Sequence, residues 1–141
     1  MVKDMTSIPG RSISRSRKGQ SLVEFALVVP ILVLLMFGIA EFGRAWMTRN
    51  ILTGAAREAV RAVVVWPGDE PAARNRGLAL IPAGITANIN FGTTTEANGT
   101  VTRSATATNN FTFSIWRIFT GLGSGSLALS STAKMRREYT P

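Results

Sequence analysis

The chain has 141 residues and contains neither cysteine nor histidine, which excludes disulfides, thiolate or imidazole metal sites and the commonest general base of enzymes. Its formal net charge is +8. In residues 1–19 five basic residues oppose one acidic residue, so half of the excess precedes the long apolar run. No nucleic-acid-binding motif accompanies the charge, and no nucleic-acid partner is expected.

An apolar run from Leu22 to Phe42 follows the basic residues, with Glu24 near its start and Glu41 near its end. As a helix, a run of this length would extend about 31 Å, which is enough to cross the hydrocarbon core of a bilayer. A cleaved secretory signal usually has a shorter apolar region that ends at small residues, whereas residues 41–46 here read EFGRAW. The run therefore predicts a retained transmembrane helix.

The flanks of the run predict its orientation. Four basic residues within 11–19 should keep the N-terminus in the cytoplasm and send the C-terminal part across the membrane, and Arg44 and Arg49 weaken this asymmetry without reversing it. Pro30 should remove one backbone hydrogen bond and kink the helix.

Residues 44–65 contain no proline and should continue the helix beyond the membrane. Their apolar positions recur at helical spacing and predict an amphipathic half with one dry face: Ala45, Leu52, Ala56, Ala59 and Val63. The Pro-Gly-rich residues 66–71 should end it.

The remaining residues predict a small α+β domain. Pro71 suits the first position of a short helix over 72–80, and polar–apolar alternation predicts a strand over 85–91. Asn98-Gly99 predicts a turn into a second, paired strand over 100–108, and 127–135 alternates as a third strand after a flexible turn at 121–125. Residues 111–119 fit either a strand continuation or a short amphipathic turn. The predicted fold is a long N-terminal helix, transmembrane in its first half and amphipathic in its second, packed against a small antiparallel sheet.

Glu24 is the unusual residue of the apolar run. A charged side chain near the bilayer centre costs about 2.5–3.5 kcal/mol, so it needs a partner or a purpose. Cutting the Gly19–Gln20 bond would make Glu24 the fifth residue of a new chain, with a positive amino terminus one helical turn away. The alternative is an uncut anchor whose Glu24 reaches back to the interface.

The sequence from Gly19 to Val28, GQSLVEFALV, with Pro30 and the later run 41–44, EFGR, resembles the N-terminal region of TadE-like pseudopilins. These are minor pilin-like proteins of the bacterial tight-adherence (Flp) pilus assembly system. Residues 133–138 also resemble the end of that family. The resemblance implies cleavage after Gly19, before Gln20, by a prepilin peptidase, with Glu24 as the pilin-type fifth-position glutamate and Phe25 beside it.

The resemblance also implies partners and a location. The partners are the prepilin peptidase, other pilin or pseudopilin subunits, pilus assembly membrane proteins and the lipid bilayer. The protein would lie in the bacterial inner membrane, with incorporation into the pilus left open. The expected organisation is a basic cytoplasmic leader (1–19), a transmembrane helix (20–43), its amphipathic continuation (44–66) and a small extracytoplasmic domain (67–141).

Two other classes of function compete with a pseudopilin. One is an unprocessed single-pass membrane protein that presents a small extracytoplasmic binding domain. The other is an enzyme, which is not expected because the carboxylates outside the membrane form no paired arrangement with supporting groups: Glu58, Asp69, Glu70, Glu96 and Glu138. No metal and no cofactor are expected.

Overall fold

A computed structural model describes residues 17–97, 99–113 and 125–137. This part of the chain contains two helices and three strands: α1 (Arg17–Val65), α2 (Glu70–Leu78), β1 (Asn88–Thr95), β2 (Val101–Thr112) and β3 (Ser126–Arg137). The chain is divided into two compact units between Met36 and Phe37, within α1. The predicted α+β fold is confirmed.

The first unit contains the N-terminal part of α1. From Gly19 to Met36 its side chains are exposed, except for the half-exposed Val29 and Val33. The helix continues unbroken through Pro30, and the kink predicted there stays a prediction.

In the second unit, α1 contributes one face of a hydrophobic core. Leu52, Ala56, Ala59 and Val63, four of the five positions that the spacing singled out, are buried, while Ala45 is half-buried. The same face includes further small or β-branched side chains: Ala55, Val60 and Ala62. Because alanine side chains are short, the sheet and α2 can approach the helix closely.

The three strands form an antiparallel sheet in the order β1-β2-β3. Asn88 lies opposite Thr108 in the first pair, and Thr112 opposite Ser126 in the second. Side chains alternate between the two faces of each strand, so Ile89, Ala105 and Ala107 point together into the core, where all three are fully buried. A hydrogen bond of 2.8 Å between the hydroxyls of Thr53 and Ser131 joins α1 to β3 directly.

The opposite face of the sheet is polar. It is composed mainly of threonine, serine and asparagine and includes Thr94, Thr106 and Thr132, the last two joined by a 2.9 Å hydrogen bond. One dry and one wet face is the usual pattern of an antiparallel sheet covered on one side.

The strands extend further than the sequence predicted. The first was expected over 85–91 but lies at Asn88–Thr95, because the exposed threonines that end it pair with the start of β2. The connecting loop is closed by the amide of Gly99, which donates to the carbonyl of Glu96 over 2.9 Å, and Gly99 has φ +80°. Asn98 of the predicted turn lies outside the described residues.

The second strand was expected to end near 108 but continues to Thr112, because β3 supplies a partner along this whole stretch. Residues 111–112 are therefore strand continuation, whereas 114–119 lie outside the described residues, as does the predicted turn at 121–124. The third strand, expected over 127–135, is Ser126–Arg137.

The short helix was expected over 72–80 but is shifted, because Asp69 caps it. The Asp69 carboxylate accepts a 3.0 Å hydrogen bond from the amide of Ala72, so the helix begins at Glu70 and holds Pro71 in its first turn. It ends at Leu78, and the amides of Ala79 and Leu80 bond back to carbonyls of its last turn.

At Gly77, α2 lies very close to the rest of the core. A Cβ atom there would lie 2.6 Å from Cδ1 of Ile89, 2.8 Å from the carbonyl oxygen of Ala55 and 2.9 Å from Cβ of Ala59. Two of these three neighbours belong to α1, one of them a backbone atom that cannot rotate away.

Replacing Gly77 with alanine should therefore destabilise the second unit by about 1–3 kcal/mol, because the added methyl overpacks the junction. The measurement is the denaturant midpoint of the full chain in detergent. Gly54→Ala is the matched control, since Gly54 faces open space on α1 and alanine there should stabilise the helix by up to about 1 kcal/mol. A Gly77→Ala chain as stable as the original would contradict the close contact.

Candidate functional site

The residues predicted from the sequence as a processing site lie near the start of α1. Gly19, Gln20, Glu24, Phe25 and Pro30 are all helical and all exposed. Nothing lies within 4 Å of the place where a Cβ on Gly19 would stand. Packing therefore does not require glycine at this position, so any requirement for it must come from outside the chain.

The helix brings Gln20 and Glu24 onto one face, because they are four residues apart. Nε2 of Gln20 donates a hydrogen bond of 3.3 Å to Oε1 of Glu24. A neutral amide satisfies one lone pair of the carboxylate but does not compensate its charge. This partner was not foreseen from the sequence, although the spacing of the two residues could have indicated it.

Large apolar side chains surround this part of the helix on all sides. Twelve of those between Leu22 and Phe42 are 48–70% exposed, and Val29, Val33 and Phe37 are half-buried. The twelve are Leu22, Val23, Phe25, Leu27, Val28, Ile31, Leu32, Leu34, Leu35, Met36, Ile39 and Phe42. A helix that is apolar all round belongs either in a protein core or in a membrane.

Burial decides between these two environments. Within the described residues one helix is long and apolar enough to cross a membrane, and none of its most apolar stretch is buried inside the protein. A core helix would be mostly covered, so the exposed run is a candidate membrane span.

A second cluster lies where the apolar run ends, in the second unit. Glu41 is only 6% exposed, and Nη1 of Arg44 donates to both of its carboxylate oxygens, over 3.0 and 2.9 Å. The guanidinium of Arg44 also lies 5.3 Å from the ring centroid of Phe111, which is buried at the end of β2. Phe113 meets this ring edge-on at a centroid distance of 5.3 Å.

Glu41 and Arg44 lie three residues apart, a spacing at which oppositely charged side chains can pair on one helix. The contact of Arg44 with Phe111 could not be predicted in this way, because the two residues are far apart in the chain.

Aromatic side chains also mark this end of the run on its exposed side. The rings of Phe42 and Trp46 stack at a centroid distance of 6.2 Å, and Trp46 is 55% exposed. This is the placement expected for an aromatic residue at a membrane–water interface.

The charged face further along α1 has the ordinary character of a solvated surface. Arg57 and Arg61 are exposed. Arg61 donates two hydrogen bonds to Glu58, over 2.8 and 3.0 Å, and these bonds lower the pKa of the Glu58 carboxyl. Across the described ranges, no group of three or more acidic side chains is placed to hold a metal ion.

Removing the guanidinium of Arg44 should destabilise the second unit by about 1–2 kcal/mol, because the buried carboxylate of Glu41 loses the nitrogen that donates to both of its oxygens. We expect this loss for Arg44→Ala in denaturant unfolding of the full chain in detergent. Arg61→Ala is the control: it removes an ion pair of the same spacing from Glu58, whose side chain is 26% exposed against 8% for Glu41, and it should change the midpoint less. Equal effects of the two substitutions would contradict a special role for the Glu41–Arg44–Phe111 cluster.

Comparison with known families adds one result to this geometry. Residues 19–61 match a family model described as TadE-like protein. The matched segment begins at Gly19, contains both the Gln20–Glu24 pair and the Glu41–Arg44 pair, and ends in the buried half of α1. No curated protein and no solved structure matches the chain. The chain is thus similar to TadE-like proteins over residues 19–61, and the family resemblance seen in its sequence is confirmed there.

Proposed function

We propose that the chain is a minor, pseudopilin-type subunit of a bacterial tight-adherence (Flp) pilus assembly system. The observation that carries the proposal is where the TadE-like match falls: it begins at Gly19 and runs along a helix that is apolar and exposed before it becomes part of a folded core. Such a helix suits a subunit that is held in a membrane and meets partner subunits there.

In this proposal residues 20–43 anchor the subunit in the inner membrane, with the N-terminus in the cytoplasm. The basic flank before Gly19 supports this orientation. The sheet, with its threonine- and serine-rich outer face, then belongs to the extracytoplasmic side, where water can hydrate that face. The subunit is not an enzyme, and its partners are the prepilin peptidase, other pilin or pseudopilin subunits and membrane proteins of pilus assembly.

The peptidase would cut between Gly19 and Gln20. The exposure of this segment and the open space around Gly19 support access to the bond. The cut removes the basic leader and places a new amino group one turn before Glu24. An ammonium group offers the carboxylate a charged partner, which the side-chain amide of Gln20 does not.

Glu24 then has a function in assembly. A carboxylate in lipid favours any arrangement that brings a cation to it, so an amino terminus of the same or a neighbouring subunit would fix the register between helices. The surrounding apolar side chains supply contact area, and this pair would supply specificity.

Cleavage is tested by co-expressing the chain with a cognate prepilin peptidase and sequencing the mature amino terminus. We expect a chain that starts at Gln20, and we expect Gly19→Leu to abolish the cut. Gly38→Leu is the control, because Gly38 also faces open space in the same helix and its replacement should leave processing unchanged. A chain that keeps Met1 would support the unprocessed membrane protein instead.

The assembly function of Glu24 is tested by Glu24→Gln, which keeps the shape of the side chain and removes its charge. Membrane insertion should be unchanged or improved, while co-purification of partner pilins should fall by about tenfold, equivalent to about 1.4 kcal/mol. Glu58→Gln serves as the control, since Glu58 lies on the solvated face beyond the apolar run. Unchanged recovery of partners with Glu24→Gln would count against the pairing.

A further inference from the structure

Gln20 has a chemical property that becomes important only if it is the first residue of a mature chain. This inference rests on the proposed cleavage after Gly19. An amino-terminal glutamine can close on itself: its α-amino nitrogen attacks the Cδ carbon of its own side-chain amide. A Cδ–N bond forms, the Cδ–Nε2 bond breaks, and the amide leaves as ammonia, which takes up the proton that the amine gives up. The product is a neutral five-membered lactam, pyroglutamate, and no oxidant or other co-reactant is needed.

The structure places a carboxylate beside the reacting groups. Nε2 of Gln20, the atom that would leave, donates to Oε1 of Glu24 over 3.3 Å. Helical side chains point back toward the N-terminus, so the Glu24 carboxylate also covers the turn in which the new amino group of Gln20 would lie. Both nitrogen atoms of residue 20 therefore compete for the same acceptor.

The two possible pairings have opposite consequences for the closure. An amino group that is paired with Glu24 is an ammonium ion, which has no lone pair and cannot attack Cδ. When Glu24 bonds to the side-chain amide instead, or to a group of another subunit, the ammonium group gives its proton to water more readily, and the neutral amine that results can attack Cδ.

We propose that Gln20 is a modification site controlled by Glu24, at which the mature terminus closes to pyroglutamate unless its amino group is held by this carboxylate. Closure removes the positive charge of the terminus for good. A closed subunit retains one lactam N–H as a donor but has lost the charge-assisted bond to a carboxylate. The modification would therefore distinguish two kinds of subunit: those whose amino terminus was paired with a carboxylate and stayed charged, and those whose terminus was unpaired and closed.

The rate of closure is measured on the full chain with Gln20 as its first residue, released in detergent from a fusion whose tag is cut immediately before Gln20. Loss of one ammonia is followed by intact mass over time. Glu24→Gln should close faster than the original chain, by roughly threefold, the change that an ion pair of ordinary strength produces. Glu58→Gln should close at the original rate, and Gln20→Ala should lose no ammonia.

Equal rates for the original chain and Glu24→Gln would overturn the control by Glu24, and absence of ammonia loss from both would overturn the modification site itself. Mature chain isolated from cells that contain the peptidase gives the second arm. Pyroglutamate at residue 20 there supports the proposal, while a free Gln20 in both the original and the Glu24→Gln chains overturns it. A chain that keeps Met1 contradicts the proposed cleavage, a result that the fusion arm does not depend on.

Discussion

The packing of the sheet and α2 on the alanine-rich face of α1 is the contact on which the rest of the structure depends. The second unit is small, and each of its helices and strands buries its apolar face only by packing against the others. Ile89 and Ala105 of the sheet and Ala59 of α1 are all completely buried in one cluster. Small side chains make this possible, because they let backbones approach closely. Gly77 has no side chain and lets α2 approach α1 closely in the same way.

The same helix meets a different requirement before residue 37. There most side chains are apolar, and all except the half-exposed Val29 and Val33 are exposed. A solvent other than water, or a partner helix, must therefore cover them. The helix thus changes from bulky leucine, isoleucine and phenylalanine before residue 37 to mainly alanine and valine on its buried face after it. This change in side-chain size matches two different environments along one helix.

The Glu41–Arg44 pair lies at the end of the apolar run, just before the part of α1 that contributes to the core. The carboxylate of Glu41 is buried and doubly hydrogen-bonded, and Arg44 extends to the ring of Phe111 at the end of β2. The cluster ties the helix to the far end of the longest hairpin in the second unit. Glu24, by contrast, is exposed and bonded to an amide, which leaves its charge available to a partner. The two carboxylates of the run therefore differ: Glu41 stabilises the fold, whereas Glu24 is the one to which the proposed function assigns association and processing.

Periodicity predicted most of the fold, because it reports which side chains share a face. It found the long helix, the buried positions from Leu52 to Val63 and the three alternating strands. Strand ends were less accurate, since β1 ends in exposed threonines that are strand only because β2 lies beside them. The contact of Arg44 with Phe111 and the tight fit around Gly77 were not predictable from one sequence, because each joins residues distant in the chain. The Gln20–Glu24 hydrogen bond could have been predicted, because the two residues are four positions apart on one helix.

In the proposed membrane subunit, exposed residues of the apolar run are covered by lipid, whereas exposed residues of the sheet are in water. The chain contains no cysteine, so single cysteines can be introduced and labelled without background. Leu35 and Thr94 form a suitable pair, because both are exposed in the structure. In native membranes a water-soluble maleimide should label Thr94→Cys rapidly and Leu35→Cys hardly at all. As a control, the lipid is extracted and the protein is denatured in urea without detergent, and the two positions should then be labelled at similar rates. Equal rapid labelling of both positions in intact membranes would contradict the account.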